Sequence, residues 1–248
     1  MEMAGENITK AADIIKNSRY TVVFTGAGIS VESGIPPFRG PGGLWSKYDP
    51  ALIEINYFYN NPKSSWEMIK KLFYIFLEKA KPNAAHYAIS ALEKKGYVQS
   101  IITQNIDNLH QAAGSNNVYE YHGTTKKLRC IGCLKEFSRE EINLEELPPK
   151  CPLCKGVLKP EFVFFGEPIP HEVNRISFGE AKKAEVMLIV GTTGEIMPAS
   201  LIPYTAKDSG CEVIEVNISK SSYTDKITDI LLPGRASEIL AELADNIK

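Results

Sequence analysis

Apolar residues run along this chain in two rhythms. Short blocks of apolar, often β-branched side chains alternate with longer stretches in which apolar residues recur every three or four positions. The blocks predict strands over 20–24, 98–102, 118–121, 162–165, 186–190, 213–216 and 227–232. The longer stretches predict helices over about 7–17, 84–95, 172–183, 199–208 and 236–247. Asn83 is placed to cap the second of these and Gly96 to end it. Strands that are apolar almost throughout and alternate with helices predict an α/β fold, a Rossmann-like parallel sheet with helices on both faces. Two stretches break the alternation. Residues 48–81 are helical in pattern and rich in aromatics, with Pro62 as a break, and residues 123–157 carry paired cysteines. Both are expected in a smaller lobe, with the large lobe built from 1–47, 82–122 and 158–248, and a ligand cleft is expected between the lobes.

With 248 residues, 44% of them hydrophobic and 23% charged, the chain fits one globular domain carrying insertions. A net charge of −2 offers no electrostatic footprint for nucleic acid or an anionic membrane. No run reaches the roughly 18 apolar residues of a membrane span. Residues 1–20 are studded with Glu2, Glu6, Lys10, Asp13, Lys16 and Arg19, so no export signal is visible and a cytoplasmic monomer is expected.

That compartment decides how the cysteines are read. Cys130 and Cys133 form one C-x-x-C pair, Cys151 and Cys154 another, with 17 residues between the pairs. Two knuckles of this spacing can present four sulfurs tetrahedrally to one structural Zn²⁺, and a reducing environment disfavours disulfides. Cys211 opens an apolar block and is expected to be packing alone.

Three polar clusters follow strands. Gly26-Ala27-Gly28 ends the first strand before a helix-compatible stretch, an order that brings backbone amides to a diphosphate. It departs from the usual dinucleotide fingerprint: Val31 stands at the third glycine position and no acidic strand end follows some twenty residues later. Instead Pro36-Pro37-Phe38-Arg39-Gly40 forms a loop able to fold over a bound cofactor. Thr103-Gln104-Asn105-Ile106-Asp107 follows the second predicted strand, and Tyr121-His122-Gly123-Thr124 the third. Polar residues at the carboxyl ends of parallel strands face the crevice where such sheets bind ligands. Position favours His122 as the chemically active histidine. His86 is expected to be packed or half exposed in its helix, His110 to support its own loop, and His171 to start a solvated helix.

Taken together the chain resembles the sirtuins, the NAD-dependent protein deacylases. The resemblance rests on GAGIS-x-x-SGIP-x-FRG (26–40), TQNID-x-LHQ-x-AG (103–114), HGT (122–124), the cysteine pairs, KP-x-x-VFFGE (159–167), GTT (191–193) and VN (216–217), in that order. It implies that Gly26, Ala27, Gly28 and Ile29 hold the NAD diphosphate, with Phe38 and Arg39 in a mobile loop over it. It implies that Gln104 and Asn105 bind the nicotinamide-side ribose, with Ile106 beside them, and that Asp107 contacts the nicotinamide carboxamide. Gly191, Thr192, Thr193 and Asn217 would line the adenosine half, with Ala236 near the adenine. Catalysis would fall to His122 as general base, together with Asn105 and Asp107. Val163 would accept a hydrogen bond from the acyl-lysine amide and Phe165 would wall the acyl channel. The substrate peptide would add as a strand between the Phe165-Gly166-Glu167 segment and the one after Thr193. Zinc would take no chemical part, because four thiolates close its shell.

Departures from the family pattern bear on substrates. Pro37 stiffens the cofactor loop, Thr193 stands for the usual serine, and Glu195 adds a negative charge at the peptide-facing edge that favours basic substrates. The succinyl-preferring members carry an arginine in the helical lobe, yet here no arginine lies between Arg39 and Arg129, and Leu72 to Leu77 is strongly apolar. Acetyl or longer apolar acyl groups are therefore expected as cargo on lysines of protein partners. Mono-ADP-ribosyl transfer to protein on the same fold is the alternative, and intact His122 and Asn105 weigh against it.

Overall fold

The computed structural model describes residues 2–38, 43–77 and 79–247, with residues 2–4 and Phe76 as backbone only. Helix α1 (Glu2–Asn17) buries Ile8, Ala11, Ala12 and Ile15, the spacing of one helical face. It leads into β1 (Thr21–Thr25), every residue of which is buried. The alternating pleat explains why: Val23 faces one apolar cluster while Val22 and Phe24 face another on the opposite side of the sheet. A 3-10 turn (Ala27–Ser33) follows. The aromatic-rich segment holds α2 (Ile55–Asn60), α3 (Pro62–Ile69), a π-helical stretch (Lys70–Tyr74) and α4 (Ile75–Leu77). Pro62 opens α3 at a position where its missing N–H costs nothing.

The sheet then grows outward. After α5 (Ala84–Lys94) come β2 (Ser100–Thr103), the short α6 (Leu109–Ala112) and β3 (Val118–Glu120). The Asn83 side chain caps α5 through Ala85 N at 2.9 Å, and Gly96 turns the chain at φ +82°. Next come β4 (Gly123–Cys130), β5 (Glu136–Ser138) and β6 (Leu158–Phe162), and then α7 (His171–Lys183), β7 (Val186–Val190), α8 (Leu201–Asp208), β8 (Glu212–Asn217), β9 (Ile230–Pro233) and α9 (Ala236–Asn246). Six strands form one parallel sheet in the order β3-β2-β1-β7-β8-β9. Residues of α1, α5 and α9 cover one face and residues of α7 and α8 the other. The chain walks from β1 to β3 in one direction and from β7 to β9 in the other. The switch point therefore lies between β1 and β7, where an open α/β sheet leaves a crevice at its carboxyl end.

A second sheet, β5-β4-β6, is antiparallel and belongs with the cysteines. The helical segment packs onto it in one shared core, with Trp66 Nε1 donating to Leu158 O at 2.7 Å and Tyr74 OH to Thr125 O at 3.2 Å. One expectation fails here. Residues 162–165 are not a strand of the parallel sheet: the ladder runs from Leu158 to Phe162 and pairs with β4, so the small sheet extends past 157. Pro160 hid the strand from the sequence, and it is tolerated because β6 is an edge. Beyond Phe162 the backbone bonds to loops of both lobes, Val163 N to His122 O at 2.8 Å and Phe165 N to Ile53 O at 3.2 Å.

Candidate active site

The glycine turn after β1 meets the carboxyl end of β7 so closely that neither can carry a side chain. A methyl group on Gly28 would stand 2.6 Å from Gly191 Cα, and one on Gly26 2.8 Å from Gly191 O. The packing also commits the amides. Gly26 N bonds Val190 O at 3.0 Å and Gly28 N bonds Gly191 O at 2.8 Å, while Ile29 N turns back to Gly26 O at 3.2 Å. Ile29 itself is fully buried. Among the described residues only the Ala27 amide of this turn lacks an acceptor, so Gly28 serves as a site of backbone contact rather than as a donor.

Above the turn lies a cavity of about 1090 Å³. Its walls include Gly26, Ala27, Gly28, Phe38, Gln104, Asn105, Ile106, His122, Gly191, Thr192, Thr193, Asn217 and Ala236, gathered from widely separated stretches of sequence. Val163, Phe165, Gly166 and Glu167 line its other side. Ile29, Asp107 and Glu195 are outside the lining, and Arg39 lies outside the described residues.

His122 owes its place to a forced turn. Gly123 has φ +75°, and any side chain there would collide with Glu161 O, so the chain swings from β3 into β4 with His122 at the junction of the two sheets. Its Nδ1 lies 3.0 Å from Gln104 O, and because a carbonyl oxygen only accepts, Nδ1 carries the proton. The neutral ring then keeps a bare lone pair on Nε2, the state required of a base. Burial lowers the pKa of His122, partly offset by the bond to Gln104 O.

Ser30 joins the two polar residues beyond Gln104. Its hydroxyl donates to Asp107 Oδ2 at 2.7 Å and accepts from Asn105 Nδ2 at 3.1 Å. Asp107 also accepts from Leu109 N at 3.0 Å. Burial raises its pKa, while these hydrogen bonds act in the other direction. Asp107 thus stands behind Asn105 rather than on the cavity wall. A further chain steadies Asn105 from below: its N–H donates to Thr103 Oγ1 at 3.1 Å, which meets Thr25 Oγ1 at 2.8 Å, which meets His110 Nε2 at 3.0 Å. His110 supports its loop as expected. His86, fully buried against the His110 ring, is packed and not half exposed, and His171 is an exposed helix start.

Ser30, Thr25 and two members of an aromatic wall, Trp45 and Phe162, were not singled out from sequence, whereas Phe38 and the apolar run holding Phe73 were. The Phe38 ring meets Trp45 at 5.5 Å and Phe73 at 6.2 Å, and Phe162 joins Phe73 at 5.1 Å. Hydrophobicity was the only signal for Trp45 and Phe162, and it does not separate a wall from a core.

The thiolate sulfurs of Cys130, Cys133, Cys151 and Cys154 lie within 4.8 Å of one another. A Zn–S bond of about 2.3 Å sets tetrahedron edges of about 3.8 Å. The Cys133–Cys151 sulfurs are 3.8 Å apart and the Cys130–Cys154 pair 3.3 Å, so the four fit one Zn²⁺ with small adjustment. Cys211 is buried apart from them. No helix among the described residues is long and apolar enough to cross a membrane.

A glycine turn at the switch point of a parallel sheet, facing a cysteine-knuckle sheet across one cavity, defines a nucleotide-binding α/β protein with a small second lobe. Residues 26–198 match the Sir2 family, and the chain belongs to that family. It is 45% identical over 247 residues to the NAD-dependent protein deacylase of Pyrococcus abyssi, covering 97% of this chain and 98% of that one. The NAD-dependent protein deacetylase of Sulfurisphaera tokodaii is 44% identical over 243 residues, covering 96% and 95%. A solved Sir2 structure with deacetylated p53 peptide and 3'-O-acetyl ADP-ribose superposes with a TM-score of 0.90 at 34% identity, covering 95% of this chain and 96% of that one. A Sir2 homologue–NAD complex superposes at 0.88 with 37% identity, covering 96% and 93%.

Proposed function

We propose that this chain is an NAD-dependent protein-lysine deacylase that removes acetyl and longer apolar acyl groups. The observation that carries the reading is His122, held with Nε2 as its basic nitrogen in the same cavity as Asn105 and the glycine turn. The cavity exceeds the roughly 300–1,000 Å³ of small-ligand pockets, which suits a dinucleotide together with an incoming side chain. Its donor set suits one too: the open Ala27 amide for a diphosphate, and the Gln104, Thr192 and Asn217 side chains for ribose hydroxyls.

NAD, when bound, supplies the ADP-ribose that takes up the acyl group as nicotinamide departs. Gln104 and Asn105 orient the nicotinamide-side ribose, and Asp107 acts on Asn105 through Ser30. His122 removes a proton at Nε2 from a ribose hydroxyl. Thr192, Thr193, Asn217 and Ala236 hold the adenosine half. The acyl-lysine enters past Val163 and Phe165, with Gly166, Glu167 and Glu195 along the peptide, and its acyl group meets Phe38, Trp45, Phe73 and Phe162. The cation among the described lining residues, Arg235, belongs to the Asn217 and Ala236 side, so an acyl carboxylate among the aromatics would go unpaired. Zn²⁺ on the four cysteines holds the small sheet in place. On this reading the protein works as a cytoplasmic monomer on acyl-lysine proteins, without nucleic acid or membrane as partner.

Incubation with NAD and acetyl or succinyl versions of one lysine peptide tests the proposal. Nicotinamide release should require both NAD and acyl peptide, with kcat/KM higher for acetyl. Release independent of peptide, or a succinyl preference, would overturn it.

A further inference from the structure

The cavity opens between two segments with backbone groups to spare. Gly166 on one side and Glu195 on the other make no backbone hydrogen bond among the described residues. The segments are otherwise firmly held. Phe165 is clamped to the small lobe through Ile53 and Ile55, while Ser222 bonds Thr193 O through its N–H at 2.9 Å and Gly194 O through its hydroxyl at 2.7 Å. Gly194 has φ +72°, and a methyl group there would meet the Tyr223 ring at 2.6 Å. The turn that presents Glu195 is thus pinned on both sides although the side chain itself is exposed.

The carboxylates around this opening differ in how far they are already engaged. Glu32 receives the Ser237 N–H at 3.0 Å and its hydroxyl at 2.7 Å. Glu167 pairs with Lys159 at 3.0 Å and accepts Phe164 N at 2.9 Å. Among the described residues Glu195 has a single partner, the Thr193 hydroxyl at 3.3 Å, and no cation. Lys159 is committed to Glu167, Pro160 O and Phe162 O. Met197, two residues on from Glu195, and Ile218 are exposed apolar residues of the cavity lining, 63% and 77% accessible.

We infer that Glu195 selects substrates with a basic residue close to the acyl-lysine, pairing its carboxylate with that side chain while Met197 and Ile218 cover the aliphatic stem. The inference rests on the deacylase reading, since it needs a peptide at this opening. A lysine or arginine brings a charged head and an apolar stem, which matches a carboxylate next to an apolar shelf. A pinned turn loses little entropy on pairing, and an acidic substrate residue would be repelled.

The test uses acetyl-lysine peptides identical except for Arg, Ala or Glu at each position within two of the lysine. Both kcat/KM and the Kd by calorimetric titration are measured for wild type, Glu195→Gln and Glu195→Lys. Wild type should prefer Arg over Glu at one or more positions by about two- to fivefold, the range of an exposed ion pair. The preference should shrink at high salt, fall towards unity in Glu195→Gln and reverse in Glu195→Lys. Equal values for Arg and Glu peptides in wild type, or a preference that survives in Glu195→Gln, would overturn the inference. Peptides that bind with this preference but are not turned over would sink the deacylase reading and leave the selectivity standing.

Discussion

His122 illustrates how a single backbone contact sets a chemical role. Gln104 O can only accept, so it fixes the tautomer and leaves Nε2 as the base. His122→Ala is expected to lose about 10²–10⁴-fold in kcat, the usual contribution of a general base, while still binding NAD. Because burial lowers its pKa, the ring stays neutral to a lower pH than free histidine. The acid limb of kcat/KM should therefore fall below about 6.5, the ordinary histidine value, and a limb above that would contradict the assignment. Asn105 and Asp107 should separate in the same assays. Asn105→Ala should abolish peptide-dependent nicotinamide release, and Asp107→Asn should mainly weaken nicotinamide exchange, since it acts through Ser30. Equal and mild losses in both would argue against that order. His122 and Asn105 were legible in sequence because each follows a predicted strand. Ser30 was not, because one serine in a turn has no periodicity or spacing to mark it, and its importance arises from two partners 75 and 77 residues away.

At the scale of elements, the small sheet depends on its four sulfurs. β5 is three residues long and β6 five, so the ladder alone offers little cooperative strength. Stripping the metal with a chelator, or Cys133→Ala, should raise amide exchange across β4, β5 and β6 while the β1, β7 and β8 amides stay protected. Activity should fall because His122 and Val163 sit where β4 and β6 begin and end. Protein purified without chelator but holding less than one zinc per chain would contradict this. The cysteine spacing announced the metal site plainly, whereas the strand over Leu158–Phe162 was concealed by Lys159 and Pro160. Its pairing with β4 is a long-range choice that local pattern does not encode.

The whole molecule carries a pH liability beneath the site. Burial holds the His86 pKa down to about 4 and that of His110 to about 3. Between those values and the ordinary 6.5 or so the unfolded chain binds protons that the folded chain excludes, so stability falls as pH falls through this window. At about 1.4 kcal/mol per pH unit, each histidine costs the folded state about 2 kcal/mol between pH 6.5 and 5. Denaturant melts at pH 7 and 5 should therefore show a smaller loss in His110→Gln than in wild type; equal losses would mean that His110 protonates while folded. The alternation of strands and helices was readable as a parallel sheet, yet the meeting of Gly28 with Gly191 was not, since it depends on strand order. That meeting places the cavity at the switch point, where the proposed acyl transfer to ADP-ribose would take place. Mass spectrometry of the products from NAD and an acetyl-lysine peptide tests it most directly. The expected products are nicotinamide, a peptide lighter by one acetyl group, and ADP-ribose heavier by that group, in equal amounts. A peptide that gains ADP-ribose and keeps its acetyl group would contradict it.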